Sequence, residues 1–303
     1  MTLRSLPPLL REEPALADVL GRSAALLAVP EPARALPIAG LTTLRTRRPV
    51  VVAVPTSGEA ERLVADLGAY LGPEAVELFP AWETLPFERV SPSVETMGRR
   101  LRTMWRLRRD EATVVVAPIR ALVQRLGPHV EDVEPVVVRP GDTLDPDDLL
   151  HRLVATGYRR EYQVEARGEV AVRGSIVDVY PSTADAPVRI DLWGDEVDRL
   201  TEFSVSDQRS RGDVCCAEIF GCRELLPTDE VRARAAGLLR TQPWGREQWE
   251  RLGEGQVFDG MESWLPWLAP DEHVLLDLVP STAQVLLLEP RRLRDRAADL
   301  LAE

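Results

Sequence analysis

Side chains fit for covalent or acid–base chemistry are sparse in this sequence and spaced wrongly for it. All 37 basic residues among its 303 are arginine, and there is no lysine. A phosphate-binding loop of the G-x-x-x-x-G-K-S/T type needs its lysine on the β- and γ-phosphates, and Schiff-base catalysis needs the lysine amine, so both are excluded. His129, His151 and His273 lie far apart without ligand-like neighbours, and Cys215, Cys216 and Cys222 lack C-x-x-C spacing, so no zinc site is expected. Neither G-x-S-x-G nor H-E-x-x-H occurs. Asp277 and Glu289 each follow an apolar run, where a nucleotide-hydrolysing enzyme would hold its metal. Without a phosphate loop they read as strand-end acids, and Asp191, Asp195 and Glu196 read as strand and turn residues.

The side chains that stand out are suited to recognition. Between Gly157 and Arg209, Val170 and Val172 alternate with Ala171 and Arg173, Val177 and Val179 with Asp178 and Tyr180, and Val188, Ile190 and Leu192 with Arg189, Asp191 and Trp193. Period-two alternation predicts antiparallel strands with one buried and one solvated face. Pro181–Pro187 supplies a loop and Gly194–Glu196 a turn. Arg189 and Trp193 therefore share the face opposite the valines, four residues apart and separated by Asp191. Arginine and tryptophan are enriched at the energetic centres of protein–protein interfaces.

The order GYRR, GEVAVRGSIVDVYP, PVRIDLWGDEVD and FSVSDQR, preceded by LFPAWETLPFERVSPSVETMGRRL, resembles the UvrB-like module of transcription-repair coupling factors (Mfd), including its UvrA-binding domain. Recognisable motifs cover roughly residues 45–230, and Gly260, Glu262, Trp264 and Pro266 resemble the G-x-E-x-W-x-P segment of the family's third subdomain. The resemblance implies that Arg173, Arg189 and Trp193 contact UvrA; Trp193 stands where the family often has Phe. Tyr158 and Arg159 are structural or rim residues in this reading. UvrB itself carries a phosphate loop and an aromatic hairpin that enters damaged DNA. ETLPFERVSPSVE, between Trp82 and Thr96, is too short and too poor in tyrosine for that hairpin.

Those residues need a scaffold to position them. Residues 10–22 read as a helix, and Ala24–Val29 as a buried strand. Pro30–Gly40 occupies the place of a phosphate loop without its glycine pair or lysine. Pro49–Pro55, Glu74–Pro80 and Thr113–Pro118 read as strands, with a helix opened by Thr56 or Ser57 and running through Tyr70. Met97, Leu101, Met104 and Trp105 mark one face of a helix over 94–109. The arginines crowding that helix, Arg99, Arg100, Arg102, Arg106, Arg108 and Arg109, suit a solvated face balanced by Glu95, Asp110 and Glu111 better than a nucleic-acid patch. Pro135–Val138 is a strand and Pro146–Thr156 a helix. Glu218–Phe220 is a further strand, and Pro227–Glu230 opens a helix. His273–Val279 and Ala283–Leu288 read as buried strands before a terminal helix.

Apolar strands alternating with helices predict a parallel sheet covered on both faces. The expected fold is α/β. A degenerate RecA-like, UvrB-like domain (1–118) receives an inserted α+β UvrA-binding domain (119–209), and a third subdomain (210–303) returns to the first.

Composition narrows the function classes. With 45% hydrophobic residues the chain can fill several cores, and its net charge of −12 opposes a primary affinity for nucleic-acid phosphates. No apolar run reaches membrane-span length, and MTLRSLPPLLREEP is no secretory signal. Three closely spaced cysteines suit a reducing cytoplasm. The expected function is a non-catalytic, cofactor-free, monomeric docking module, a fragment of a longer translocase, that brings UvrA to stalled RNA polymerase. Contacts to polymerase and DNA would come from regions outside this chain. The alternatives are a UvrB-like damage-recognition ATPase and a DNA-binding module using the 99–109 arginines.

Overall fold

The structure is a computed structural model describing residues 2–20, 22, 24–44, 48–85, 88–269 and 273–302. In chain order its strands begin with β1 (Val50–Val54), β2 (Val76–Leu78), β3 (Val114–Pro118), β4 (Val136–Val138), β5 (Arg159–Arg160) and β6 (Glu169–Arg173). They continue with β7 (Ile176–Val179), β8 (Val188–Trp193), β9 (Glu196–Phe203), β10 (Ser210–Asp213), β11 (Ala217–Ile219) and β12 (Gln284–Leu287). Two compact units share the chain: Met1–Ala81 with Arg106–Gln124 and Val274–Glu303, and Trp82–Trp105 with Arg125–His273.

The first unit is built on a parallel sheet in the order β12-β1-β3-β2. VVVAV in β1 and VVVAP in β3 are buried at every position, as expected of strands covered on both faces. The helix Ser57–Leu71 turns Ala60, Leu63 and Leu67 onto this core. Thr56 caps it: Oγ1 accepts the Glu59 N–H at 3.3 Å and donates to the Glu59 carboxylate at 2.9 Å.

Three expectations change here, and Pro30–Gly40, given no element from sequence, acquires one. Residues 10–22 divide into a 3-10 segment, Pro7–Glu12, and a short helix, Pro14–Val19, because Pro14 lacks the N–H a continuous helix needs. Ala24–Val29 is irregular, with Leu26 89% exposed; three alanines have little β propensity, and among the described residues no strand pairs with the run. Pro30–Gly40 is a 3-10 turn, Glu31–Ala33, leading into the helix Ala35–Leu44. Val274–Val279 forms a short helix, Leu275–Leu278, in which Asp277 Oδ2 accepts the Val274 N–H at 2.9 Å. The remaining C-terminal run is present as β12, but as an edge strand with Val285 and Leu287 half exposed.

In the second unit a six-stranded sheet runs β10-β9-β8-β7-β6-β5, antiparallel except for the β5–β6 pair. Its valine face packs on the helix Pro146–Ala155 through Leu149, Leu150 and Leu153. Asp145 caps that helix, accepting the Asp147 and Asp148 N–H groups at 2.8 and 3.2 Å, with Pro146 at the first helical position. β4 and β11 form a small antiparallel ladder on the same core.

Met97, Leu101 and Met104 are buried along the helix Val94–Arg108, and Trp105 is half-buried. Residues 210–273, read from sequence as part of a returning subdomain, lie within this second unit. Its helices Asp229–Thr241 and Arg246–Gly253 close around the buried Trp249, in a cluster with Trp244, Trp264 and Trp267.

Candidate protein-docking face

Two tight hairpins set out the face. Gly174, at φ 62°, lets β6 turn into β7, and Gly194, at φ 63°, turns β8 into β9 directly after Trp193; both need the left-handed conformation glycine adopts freely. The resulting register places Asp178 on β7 directly opposite Arg189 on β8 and opposite Ala171 on β6. Arg173, two residues beyond Ala171, reaches Asp178 on the diagonal.

Asp178 is wholly buried. Its Oδ1 accepts from Arg189 Nε at 2.7 Å, and its Oδ2 accepts from Arg189 Nη2 at 2.9 Å and from Arg173 Nη2. Arg189 Nη1 donates to the Gln208 carbonyl at 3.3 Å, and the guanidinium carbon lies 4.8 Å from the centre of the Phe203 ring. The hydrogen bonds to Asp178 raise the Arg189 pKa further. Only 16% of the Arg189 side chain reaches solvent, against 36% for Arg173. Trp193 is 83% exposed.

The face opposite the valines is thus not uniformly solvated. Around Asp178 it is closed by Val164, Ala171 and Phe203, with Tyr180 packed beside them. Asp178 itself is the residue a sequence reading misses. Its signal was present: an acid within the apolar run IVDV, at the same strand parity as Arg189 one hairpin away.

Other sequence candidates resolve differently. Tyr158 is core: its hydroxyl donates to the Phe220 carbonyl at 2.8 Å and accepts the Ser182 N–H at 3.1 Å, and burial raises its pKa well above the phenol range. Arg159 is exposed and pairs with Glu169 at 3.0 Å. Of the helix arginines, Arg100 is buried against Glu224, Arg99 pairs with Glu95, and Arg106 pairs with Glu77. Cys222 is buried, which pushes its thiol up to about 12, and Cys215 and Cys216 are free thiols. Among the described residues no group of three His, Cys, Asp or Glu is placed to hold a metal, and no helix is long and apolar enough to cross a membrane.

The first unit has a cavity of about 230 Å³ beside the carboxyl end of β1, where open α/β sheets bind ligands. Its lining mixes Glu31, Glu59 and Asp66 with Arg34 and Arg62. Arg34 is paired with Glu289, and Glu59 with Arg292 at 2.8 Å. Burial would raise the Glu59 pKa, but hydrogen bonds from Arg292 and Thr56 outweigh it and hold the carboxyl low.

Residues 136–224, which contain Arg173, Asp178, Arg189 and Trp193, match the family described as the UvrB interaction domain, and the chain carries such a domain. Along most of its length it is related to transcription-repair-coupling factors. It is 41% identical over 278 residues to that of Mycobacterium bovis, covering 86% of this chain and 22% of the relative. With the Bacillus subtilis protein the identity is 31% over 277 residues, covering 85% and 24%, and with the Escherichia coli protein 31% over 229 residues, covering 72% and 19%. The chain spans about a fifth of the length of these relatives.

Proposed function

We propose that this chain is a docking module of a transcription-repair coupling factor, and that it presents Arg173, Arg189 and Trp193 to UvrA. In this reading it recruits nucleotide excision repair to stalled RNA polymerase, while polymerase and DNA are engaged by regions outside the chain. The first unit is a degenerate RecA-like domain that supports the module without turning over nucleotide.

One observation carries the reading. Within a UvrB interaction domain, an indole 83% exposed stands at a hairpin end, on the strand that also carries the anchored Arg189. An exposed tryptophan on the strand that carries a fixed guanidinium is costly to leave in water and suited to a partner's apolar pocket and acidic rim.

Titration calorimetry of the chain against UvrA, for the wild type and for Arg189→Ala and Trp193→Ala, tests it. Binding at about micromolar affinity or tighter is expected, with a loss of roughly 2–5 kcal/mol when a desolvated charge pair is broken. Unchanged binding by both variants, with unfolding temperatures like the wild type, would move the site elsewhere. The cavity beside β1 favours one competing reading, a nucleotide-binding UvrB-like ATPase. An ATP titration of the same chain separates the two, and no binding is expected.

A further inference from the structure

We infer that Asp178 is the positioning residue of this face, and that it commits Arg189 to the frame so that a single acidic side chain of the partner is received at Arg173, on the face that also carries Trp193. The inference rests on the docking reading above and adds which chemistry the face accepts.

Donor accounting leads to it. Each of the three guanidinium nitrogens of Arg189 already has an acceptor within the chain: Asp178 for Nε and Nη2, and the Gln208 carbonyl for Nη1. The Phe203 ring lies within cation–π range of the guanidinium, and little of the side chain meets solvent. Three of its five N–H donors are so engaged, and the remaining two, one on each Nη, belong to a side chain that is mostly buried.

Arg173 differs. It gives Asp178 one Nη2 bond, and among the described residues its Nε and Nη1 have no acceptor, while 36% of the side chain is exposed. Two guanidinium groups share the buried carboxylate, Asp191 on the same face acts on Arg189, and the uncommitted donors of the cluster are mostly those of the more exposed Arg173. A partner complementary to it presents one carboxylate next to an apolar pocket for the indole. Holding both arginines in single rotamers on a buried acid also removes ordering cost from binding.

The two possible roles of Asp178 predict opposite signs. If it only offset positive charge, Asp178→Asn would strengthen binding to an acidic partner. If it positions Arg173, the same change weakens binding even though the face becomes more positive.

The experiment titrates UvrA with the wild-type chain and with Arg173→Ala, Trp193→Ala, Asp178→Asn, Arg189→Gln and the double variant Asp178→Asn/Arg189→Gln, and records a thermal melt for each. Arg173→Ala, Trp193→Ala and Asp178→Asn are each expected to lose about tenfold or more in affinity. The double variant re-forms an uncharged amide pair beneath Arg173; it is expected to bind more weakly than wild type but more tightly than either Asp178→Asn or Arg189→Gln alone. If wild type does not bind, or Arg173→Ala and Trp193→Ala bind like wild type, the docking reading itself fails. If those two lose binding while folded Asp178→Asn keeps or gains it, the docking reading stands and the positioning role is overturned. If Asp178→Asn does not fold, the double variant decides: affinity no better than that of Arg189→Gln overturns the inference, because the partner then reads the charge of Arg189 directly.

Discussion

Arg100 and Glu224, 124 residues apart in the chain, meet at 2.6 Å with neither side chain reaching solvent. Trp82 Nε1 donates to the same Glu224 oxygen at 2.8 Å. Removing one member leaves a charge in a medium that solvates it poorly. Arg100→Ala and Glu224→Ala should each lower stability by about 3–5 kcal/mol, whereas Arg100→Met with Glu224→Leu should recover part of that loss. Urea unfolding monitored by circular dichroism reads this out, and a double variant less stable than both single ones would contradict it.

Gly98 sits inside the helix Val94–Arg108, where propensity alone makes Gly→Ala worth about 1 kcal/mol of added stability. Tertiary packing reverses the sign. A Cβ at this position would lie 2.3 Å from Ser182 Oγ and 2.5 Å from its Cβ. Ser182 is fully buried and its hydroxyl donates to the Phe220 carbonyl at 3.0 Å, so it has little room to give. Gly98→Ala should destabilise by about 1–3 kcal/mol, and Ser182→Gly introduced beside it should relieve most of the added strain. A melting temperature above wild type for Gly98→Ala would refute the clash.

Glu83 links acid pH to the start of the same helix. Its carboxylate accepts from Ser93 Oγ at 2.8 Å, from the Ser93 N–H at 3.4 Å and from Thr96 Oγ1. Burial would raise its pKa, but these hydrogen bonds outweigh that effect and hold it below its usual 4.5. A depressed carboxyl pKa stabilises the fold fully above the unfolded value, and the contribution is lost as pH falls through the folded value. Glu83→Gln should therefore cost stability at neutral pH and progressively less below about pH 4.5. A melting-temperature difference that stays constant from about pH 7 to about pH 3 would rule this out.

Tyr158→Phe removes a donor to the Phe220 carbonyl and an acceptor for the Ser182 N–H, both buried. A loss of about 1–3 kcal/mol is expected, with affinity for UvrA unchanged in the folded variant. Weakened binding without loss of stability would instead make Tyr158 part of the docking face.

The sequence by itself determined whatever depends on local pattern. Alternation in Val188–Trp193 placed Arg189 and Trp193 on one face, and β8 keeps that alternation through the irregular β8–β9 pairing at Asp191/Leu192. Thr56 and the Asp145–Pro146 pair marked helix starts because their capping chemistry lies within three residues of the backbone they satisfy. The continuously apolar runs of β1 and β3 announced a parallel sheet, since doubly covered strands are the ones that tolerate them.

Tertiary structure decided the rest, through partners distant in sequence. Ala24–Val29 is as apolar as β3 but has no neighbouring strand among the described residues, and a strand without a ladder has unpaired backbone groups that water serves equally well. Arg100 and Arg99 are neighbours in one arginine-rich helix, yet one is core and the other is partly solvated, because only Arg100 faces Glu224. Asp178 became the shared acceptor of Arg173 and Arg189 because two hairpins brought β6 and β8 to either side of it. A buried carboxylate is stable only when such donors converge on it, and that convergence is set by register.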